Sequence, residues 1–130
     1  SDDLATWLRR RIEGRRYLAQ RTIELGNNEV WEELSSGVLV TSEPSEADHW
    51  HGTWPTGDSS LARLMEANDP RDTIARCEAE LAILERHRPS EVMPDACRCC
   101  KGSYAIPCPT VRLLGSGYQH YPGYRQEWAP

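Results

Sequence analysis

The chain has 130 residues, 38% of them hydrophobic, and a formal net charge of −5 at pH 7. This length suits one domain, and the acidic balance opposes wrapping by duplex DNA, because phosphates attract positive charge. A mean hydropathy of −0.67 and the lack of a long apolar run predict a soluble protein. No charged start followed by an apolar stretch marks a signal peptide, so we expect a cytoplasmic location.

Hydrophobic periodicity predicts two long helices. Residues 3–25 place apolar side chains on one broad face at helical spacing, and an acidic residue at the start can cap the helix. A second helix is predicted over 70–87, because Asp69 is a good cap and Pro70 suits the first helical position. We expect the two helices to pack antiparallel, with Cys77 buried as a small apolar side chain.

The segment between these helices predicts strands and a loop. Residues 30–34 and 38–41 are rich in β-prone side chains and flank a Ser-Ser-Gly turn, which predicts a β-hairpin. Residues 42–59 are rich in Pro, Gly, Ser and acids and predict a long loop. A short helix is predicted before the second long helix, and another over 110–114 that ends at Gly115.

The predicted fold class is helix-rich α+β, with two long packed helices, one β-hairpin and a small C-terminal zinc-bound unit. We expect a single domain over residues 1–130. Its predicted parts are an N-terminal helix (1–26), a hairpin with an acidic and aromatic loop (27–58), helices (59–88) and a zinc-binding C-terminal unit (89–130). The sequence leaves the oligomeric state open, although the amphipathic first helix could pair between chains in a dimer.

Three of the five cysteines have the spacing of metal ligands. Cys97 and Cys100 form a C-x-x-C pair, whose turn can point both sulfurs at one ion. Cys108 precedes a predicted helix start, where the helix N-terminus stabilises a thiolate. Together with His87 they make a Cys3His donor set, enough for a closed tetrahedral site. Zinc is the expected ion, because it accepts soft sulfur together with imidazole.

The sequence leaves alternatives open at this site. His120 competes with His87 as the imidazole ligand. Cys99 is expected to point away, because two adjacent cysteines are poorly placed to chelate one ion together. The other uses of such a cluster are a disulfide between Cys97 and one of its neighbours, or redox chemistry.

Four stretches of the chain resemble a family of small actinobacterial and actinophage proteins of unknown function. These stretches are NDPRDTIARCEAELAILERH, CRCC, PCPTVRLL and YQHYPGYRQEW, and the match covers Asp69 to Trp128. The resemblance implies that the imidazole at position 87 and the three thiols act as one unit. It also implies a fixed C-terminal tail that contains Arg112, Tyr124, Arg125 and Trp128, and we predict these four as candidate binding residues. Asn68 departs from the family pattern, which often has His before Asp-Pro, and the resemblance implies no activity.

The first functional hypothesis is a non-enzymatic, zinc-stabilised protein that binds another protein. The stretch HWHGTW could form an exposed anchor, since Trp is frequent at binding hot spots. The anchor residues would be His49, Trp50, His51 and Trp54. The alternative is that these rings fold back on a core that has no Phe. If the resemblance extends to a phage origin, the partner would be a host factor and the location the host cytoplasm.

Two other classes of function stay open. Binding of nucleic acid would use arginines near the cysteines, such as Arg98 and Arg112, and others on the first helix. An enzyme would need an open metal position, which would exist if His87 were not a ligand, or a nucleophilic Cys99. The sequence has no phosphate loop, no Rossmann glycine pattern and no H-E-x-x-H spacing.

Overall fold

The computed structural model describes residues 3–25, 30–34, 37–41, 52–55, 59–100 and 106–130. In the strands, and at Ser59 and Ala62, it describes the backbone alone. The elements are α1 (Leu4–Glu24), β1 (Val30–Leu34), β2 (Gly37–Thr41), β3 (Gly52–Pro55), α2 (Ser59–Ala67), α3 (Pro70–Arg86) and α4 (Pro109–Ser116). A short 3-10 helix follows at Gln126–Trp128. Within these described ranges, no helix has the length and apolar character needed to cross a membrane.

The predicted helix starts are confirmed by their caps. The Thr6 backbone N–H donates to the Asp3 carboxylate at 2.8 Å, at the start of α1. The Asp72 N–H donates to the Asp69 carboxylate at 2.8 Å, at the start of α3. Each carboxylate accepts from an N–H that has no partner inside its own helix, and it also complements the positive helix end.

The predicted fold class, α+β with one β-hairpin, is wrong. No strand lies in the part of the chain whose side chains are described, and that part consists of helices, turns and irregular segments. Strands are assigned only to backbone between Val30 and Pro55, and there they form a three-stranded antiparallel sheet in the order β1-β2-β3. The third strand, Gly52–Pro55, lies where the sequence predicted a loop. The prediction missed it because strand pairing depends on distant partners more than on local composition.

The chain divides into two compact units. The first contains residues 1–14 and 78–130, and the second contains residues 15–77. Each unit takes a part of both α1 and α3, so this division does not test the single-domain prediction, which stays a prediction. In the second unit Cys77 is fully buried, as predicted. Leu18, which the periodicity placed on the inner face of α1, is exposed there.

The core of the first unit lies between the start of α1, the end of α3 and α4. The buried side chains include Leu4, Leu8, Ile12, Leu84 and Val111. Gly115 was expected to end the last helix, but α4 continues through it to Ser116. A Cβ on this glycine would lie 3.0 Å from Leu4 Cδ1, so the missing side chain lets α4 approach α1 closely.

Candidate metal centre

The imidazole of His87 follows directly after the last turn of α3. The His87 backbone N–H donates to the carbonyls of Ile83 and Leu84, at 3.1 and 3.2 Å, so the residue continues the helical path. Its Nδ1 atom faces three cysteine sulfurs. The end of α3 therefore fixes the position of one candidate ligand.

A short antiparallel bridge places Cys97 beside this helix end. Cys97 pairs with Pro89, and the flanking N–H groups of Ser90 and Arg98 donate to the carbonyls of Ala96 and Arg88, at 2.8 and 2.9 Å. These bonds close the loop of residues 90–96 on itself. The Cys97 sulfur consequently lies 3.8 Å from the carbonyl oxygen of His87.

The third thiol of the cluster comes from the start of α4. Cys108 occupies the cap position with extended backbone angles (φ −71°, ψ 166°), and Pro109 is the first helical residue. The Cys108 side chain makes no capping hydrogen bond, so its sulfur faces the cluster while its carbonyl accepts from Arg112 N–H at 3.0 Å.

The distances between the four donor atoms fit one tetrahedral ion. His87 Nδ1 lies 3.5 Å from the sulfur of Cys97, 3.9 Å from that of Cys100 and 3.5 Å from that of Cys108. All four donor atoms lie within 4.8 Å of one another. Zinc bonds of about 2.3 Å to sulfur and about 2.0 Å to nitrogen, at tetrahedral angles, separate sulfur from nitrogen by about 3.5 Å. The cluster is therefore a metal-compatible site that needs little rearrangement.

Two of the sulfurs, those of Cys97 and Cys100, hold their protons unequally. Burial raises the pKa of the Cys97 thiol, but hydrogen bonds with the Cys100 backbone, His87 and the other two thiols lower it more, to about 7. For Cys100, the hydrogen bond with Cys97, burial and the negative charges of Cys108 and Cys97 raise the pKa to about 12. Three adjacent thiolates repel one another, and a cation bound between them removes this repulsion.

The structure also separates the cluster from the competing residues. Cys99 is exposed and does not belong to the cluster, as the sequence predicted. Within the described ranges the imidazole of the cluster is that of His87, and His120 is an exposed residue outside it. All five cysteines are free thiols.

The predicted aromatic anchor cannot be placed. His49, Trp50 and His51 lie outside the described residues. Trp54 belongs to β3, where it pairs with Val38 through the backbone, and its side chain is not described. Binding through this anchor therefore stays a prediction.

The C-terminal tail is held by Arg112, one of the four residues that the resemblance assigned to it. Its guanidinium donates to the carbonyls of Pro107 at 3.2 Å, Glu127 at 2.9 Å and Ala129 at 3.4 Å. One side chain on α4 thus ties both the segment before the helix and the last residues of the chain. These contacts give Arg112 a structural role in fixing the tail.

The other three tail residues belong to an aromatic cluster or contact it. Tyr124 and Trp128 form the cluster together with Trp7, and Arg125 contacts it. The Trp7 ring lies 5.8 Å from that of Tyr124 and 5.4 Å from that of Trp128, between centroids. The Arg125 guanidinium lies over the Trp128 ring at 5.0 Å, a cation–π contact. The helical periodicity of the sequence places Trp7 on the apolar face of α1. It does not identify the partners of this ring, because they lie more than a hundred residues away in the chain.

Comparison with known proteins places the whole chain in one family. No curated protein matches the chain, and no solved structure matches it. The family match confirms the sequence resemblance at the level of a family of unknown function, and the actinobacterial or actinophage origin stays a prediction. The chain belongs to the Family of unknown function (DUF6221), whose model matches residues 1–130.

Proposed function

We propose that this protein is a non-enzymatic, zinc-stabilised protein that acts by binding another protein. The observation that carries the zinc part is the donor cluster, in which one imidazole nitrogen lies 3.5–3.9 Å from three thiol sulfurs. Thiolates select zinc, copper(I) or iron–sulfur clusters, whereas imidazole suits zinc, copper, iron and nickel. Three sulfurs with one nitrogen in tetrahedral reach favour zinc among these.

The donor set supports a structural zinc ion over a catalytic one. Catalytic zinc keeps three protein ligands and leaves the fourth position to water. Here His87 supplies a fourth donor, and the side chains of Cys97 and Cys108 are fully buried. Within the described residues the cluster includes no carboxylate that could act as a base beside the ion. A closed set of this kind holds the chain together and offers no position for a substrate.

The ion would join three separate pieces of the first unit. His87 comes from the end of α3, Cys97 and Cys100 from the following loop, and Cys108 from the start of α4. A short chain with a modest apolar fraction gains stability from such a cross-link, because metal binding free energy adds to folding free energy.

Exposed apolar side chains beside the cluster support the protein-binding part. Val92 is 89% exposed and Met93 is 51% exposed. Both lie in the loop of residues 90–96, which follows His87 and precedes Cys97 in the chain. Backbone hydrogen bonds close this loop. Apolar side chains on a rigid loop are a suitable contact for a partner protein, and Met adapts well to varied surfaces.

Cobalt substitution tests the zinc proposal. Cobalt(II) in a closed site of three sulfurs and one nitrogen gives intense tetrahedral absorption and sulfur-to-metal charge transfer. We expect this spectrum from the wild-type protein, without change when azide is added. A spectrum that shifts with azide would reveal an open position and contradict the structural assignment.

Selection of binders from a displayed peptide library tests the protein-binding proposal. We expect selected peptides to bind the zinc-loaded protein and to lose binding when Val92 and Met93 are both replaced by Ser. Leu113→Ser is the matched control, because Leu113 is a 62% exposed side chain on α4. Binders that ignore the Val92 and Met93 changes would contradict the use of this loop.

A further inference from the structure

An open cleft of about 370 Å³ lies beside the metal centre. Glu85 and Arg86, in the last turn of α3, form one wall, directly before the candidate ligand His87. Arg98 and Cys99 form the other wall, between the candidate ligands Cys97 and Cys100. The two walls are thus joined to each other through the metal cluster, which would fix the distance between them.

The charges around this cleft are unequal. Glu85 pairs with Arg9 at 3.6 Å and with Arg88 at 3.0 Å, and Arg88 also pairs with Glu91 at 3.3 Å. Arg86 and Arg98 have no carboxylate partner within the described residues, and both are exposed. Among the described residues, these four guanidinium groups against two carboxylates leave a formal charge of +2. A zinc ion with three thiolates carries −1, so a positive charge remains beside the metal centre.

We propose that this cleft binds a carboxylate-bearing segment of the partner protein. The guanidinium fork matches a carboxylate with two parallel hydrogen bonds, and a site with two unpaired arginines can take one or two acidic side chains. The volume admits a few side chains, and the open shape admits a segment that passes across the surface. This inference rests on the proposed binding function and names the chemistry of the partner.

The composition of the cleft favours an acidic protein segment over nucleic acid. Sites for single-stranded nucleic acid stack bases on aromatic rings, and none of the described residues that line this cleft is aromatic. The net charge of −5 also repels a long polyanion more than it repels a short acidic segment.

Fluorescence anisotropy with defined probes tests the proposal on the full-length, zinc-loaded protein. The probes are a labelled short peptide with four Glu residues, the same peptide with Gln in their place, and a single-stranded oligouridine. The variant is Arg86→Gln with Arg98→Gln. Arg71→Gln is the matched control, because Arg71 is another exposed arginine on α3 without an ion pair in the described residues.

We expect the Glu peptide to bind, with at least tenfold weaker binding to the double variant and unchanged binding to the Arg71→Gln protein. Bound Glu peptide should also slow the alkylation of the exposed Cys99 thiol by iodoacetamide, and the Gln peptide should not. Equal binding to wild type and the double variant would overturn the proposal. Oligouridine that binds more tightly than the peptide and depends on the same arginines would overturn it in favour of nucleic acid.

The zinc content of the same samples separates this inference from the proposed function. Zinc-loaded protein that ignores the Glu peptide contradicts the acidic segment and leaves the structural zinc site intact. Protein that folds and holds no zinc contradicts the proposed function, whatever the peptide does. The double variant should keep its zinc, because neither arginine supplies a ligand atom.

Discussion

The metal centre and the aromatic cluster hold the same unit of the chain by different physics. The metal centre gathers one imidazole and three thiols, and the thiols repel each other once they are ionised. The aromatic cluster gathers Trp7, Tyr124 and Trp128, whose rings attract each other in edge and tilted contacts. The first needs a cation to be stable, whereas the second needs only the chain itself.

Their polar groups are satisfied in different ways as well. In the aromatic cluster the Trp7 indole N–H and the Arg11 guanidinium both donate to the Pro122 carbonyl, at 3.3 and 2.9 Å. In the metal centre the Nδ1 atom of His87 contacts only sulfur within the described residues, at 3.5–3.9 Å. Removal of the metal should therefore affect one region far more than the other.

Chelation of the metal should have the largest effect. Zinc contributes on the order of 10 kcal/mol to the folding of small zinc domains, so its removal should open the loop that carries Cys97. Hydrogen exchange measures this directly, because the Ser90 and Arg98 amides donate to the carbonyls of Ala96 and Arg88. We expect these two amides to lose protection while the Trp128 amide, which donates to Arg125, changes less. Equal loss at all three amides would show that the two regions do not differ in their need for metal.

Trp128→Ala should give the next largest effect and spare the metal. Trp128 is 6% exposed and contacts two other aromatic rings, so we expect a loss of about 3–5 kcal/mol in the free energy of unfolding. Chemical denaturation of the zinc-loaded protein measures the loss. A variant that also releases its zinc would contradict the independence of the two regions.

The affinity for zinc should rise with pH. Zinc binds thiolates, so any proton on a ligand sulfur must leave when the metal binds. The pKa of Cys100 is raised to about 12, and that of Cys97 is lowered to about 7. Zinc binding should therefore release at least one proton above pH 7 and at least two below it, and the affinity should change at least tenfold per pH unit. Competition with a chelator of known affinity measures this slope, and an affinity independent of pH would contradict thiol ligation.

Two glycine substitutions should have smaller effects of opposite sign. Gly123 has a φ of +92°, and a Cβ there would lie 2.8 Å from the Trp7 Nε1 atom, so Gly123→Ala should cost about 1–3 kcal/mol. Gly14 lies inside α1 with open space around it, so Gly14→Ala should stabilise the protein by about 0.5–1 kcal/mol. Thermal unfolding of both variants measures the difference. A neutral Gly123→Ala protein would show that the aromatic cluster tolerates a displaced backbone at this position.

Cys99→Ser should have the smallest effect. Cys99 is exposed and lies outside the donor cluster, so we expect a change in the free energy of unfolding of less than about 0.5 kcal/mol. Isothermal titration should show unchanged zinc affinity. A weakened affinity would mean that Cys99 takes part in ligation.

The candidate metal centre was readable from the sequence because most of its geometry is local. A C-x-x-C turn brings two sulfurs together, and a cysteine before a helix start lies at a favourable helix end. The choice between His87 and His120 was not local. It depends on how the end of α3 meets the bridge between Pro89 and Cys97, which only the folded chain defines.

The fold was harder to predict from the sequence, because the features that the prediction missed depend on contacts between distant segments. The strand at Gly52–Pro55 has a composition typical of a loop and owes its structure to pairing with β2. Gly115 has the chemistry of a helix end, yet its place is set by contact with Leu4. The aromatic cluster joins Trp7 to Trp128, and no local pattern relates two residues so far apart.

The metal content of purified protein tests the structural zinc centre most directly. Elemental analysis should find one zinc per chain in the wild type and in Cys99→Ser, and none in Cys97→Ser or His87→Ala. Wild-type protein that folds without any metal would contradict the account. Zinc that persists without the imidazole of His87 would contradict the closed donor set and indicate an open coordination position instead.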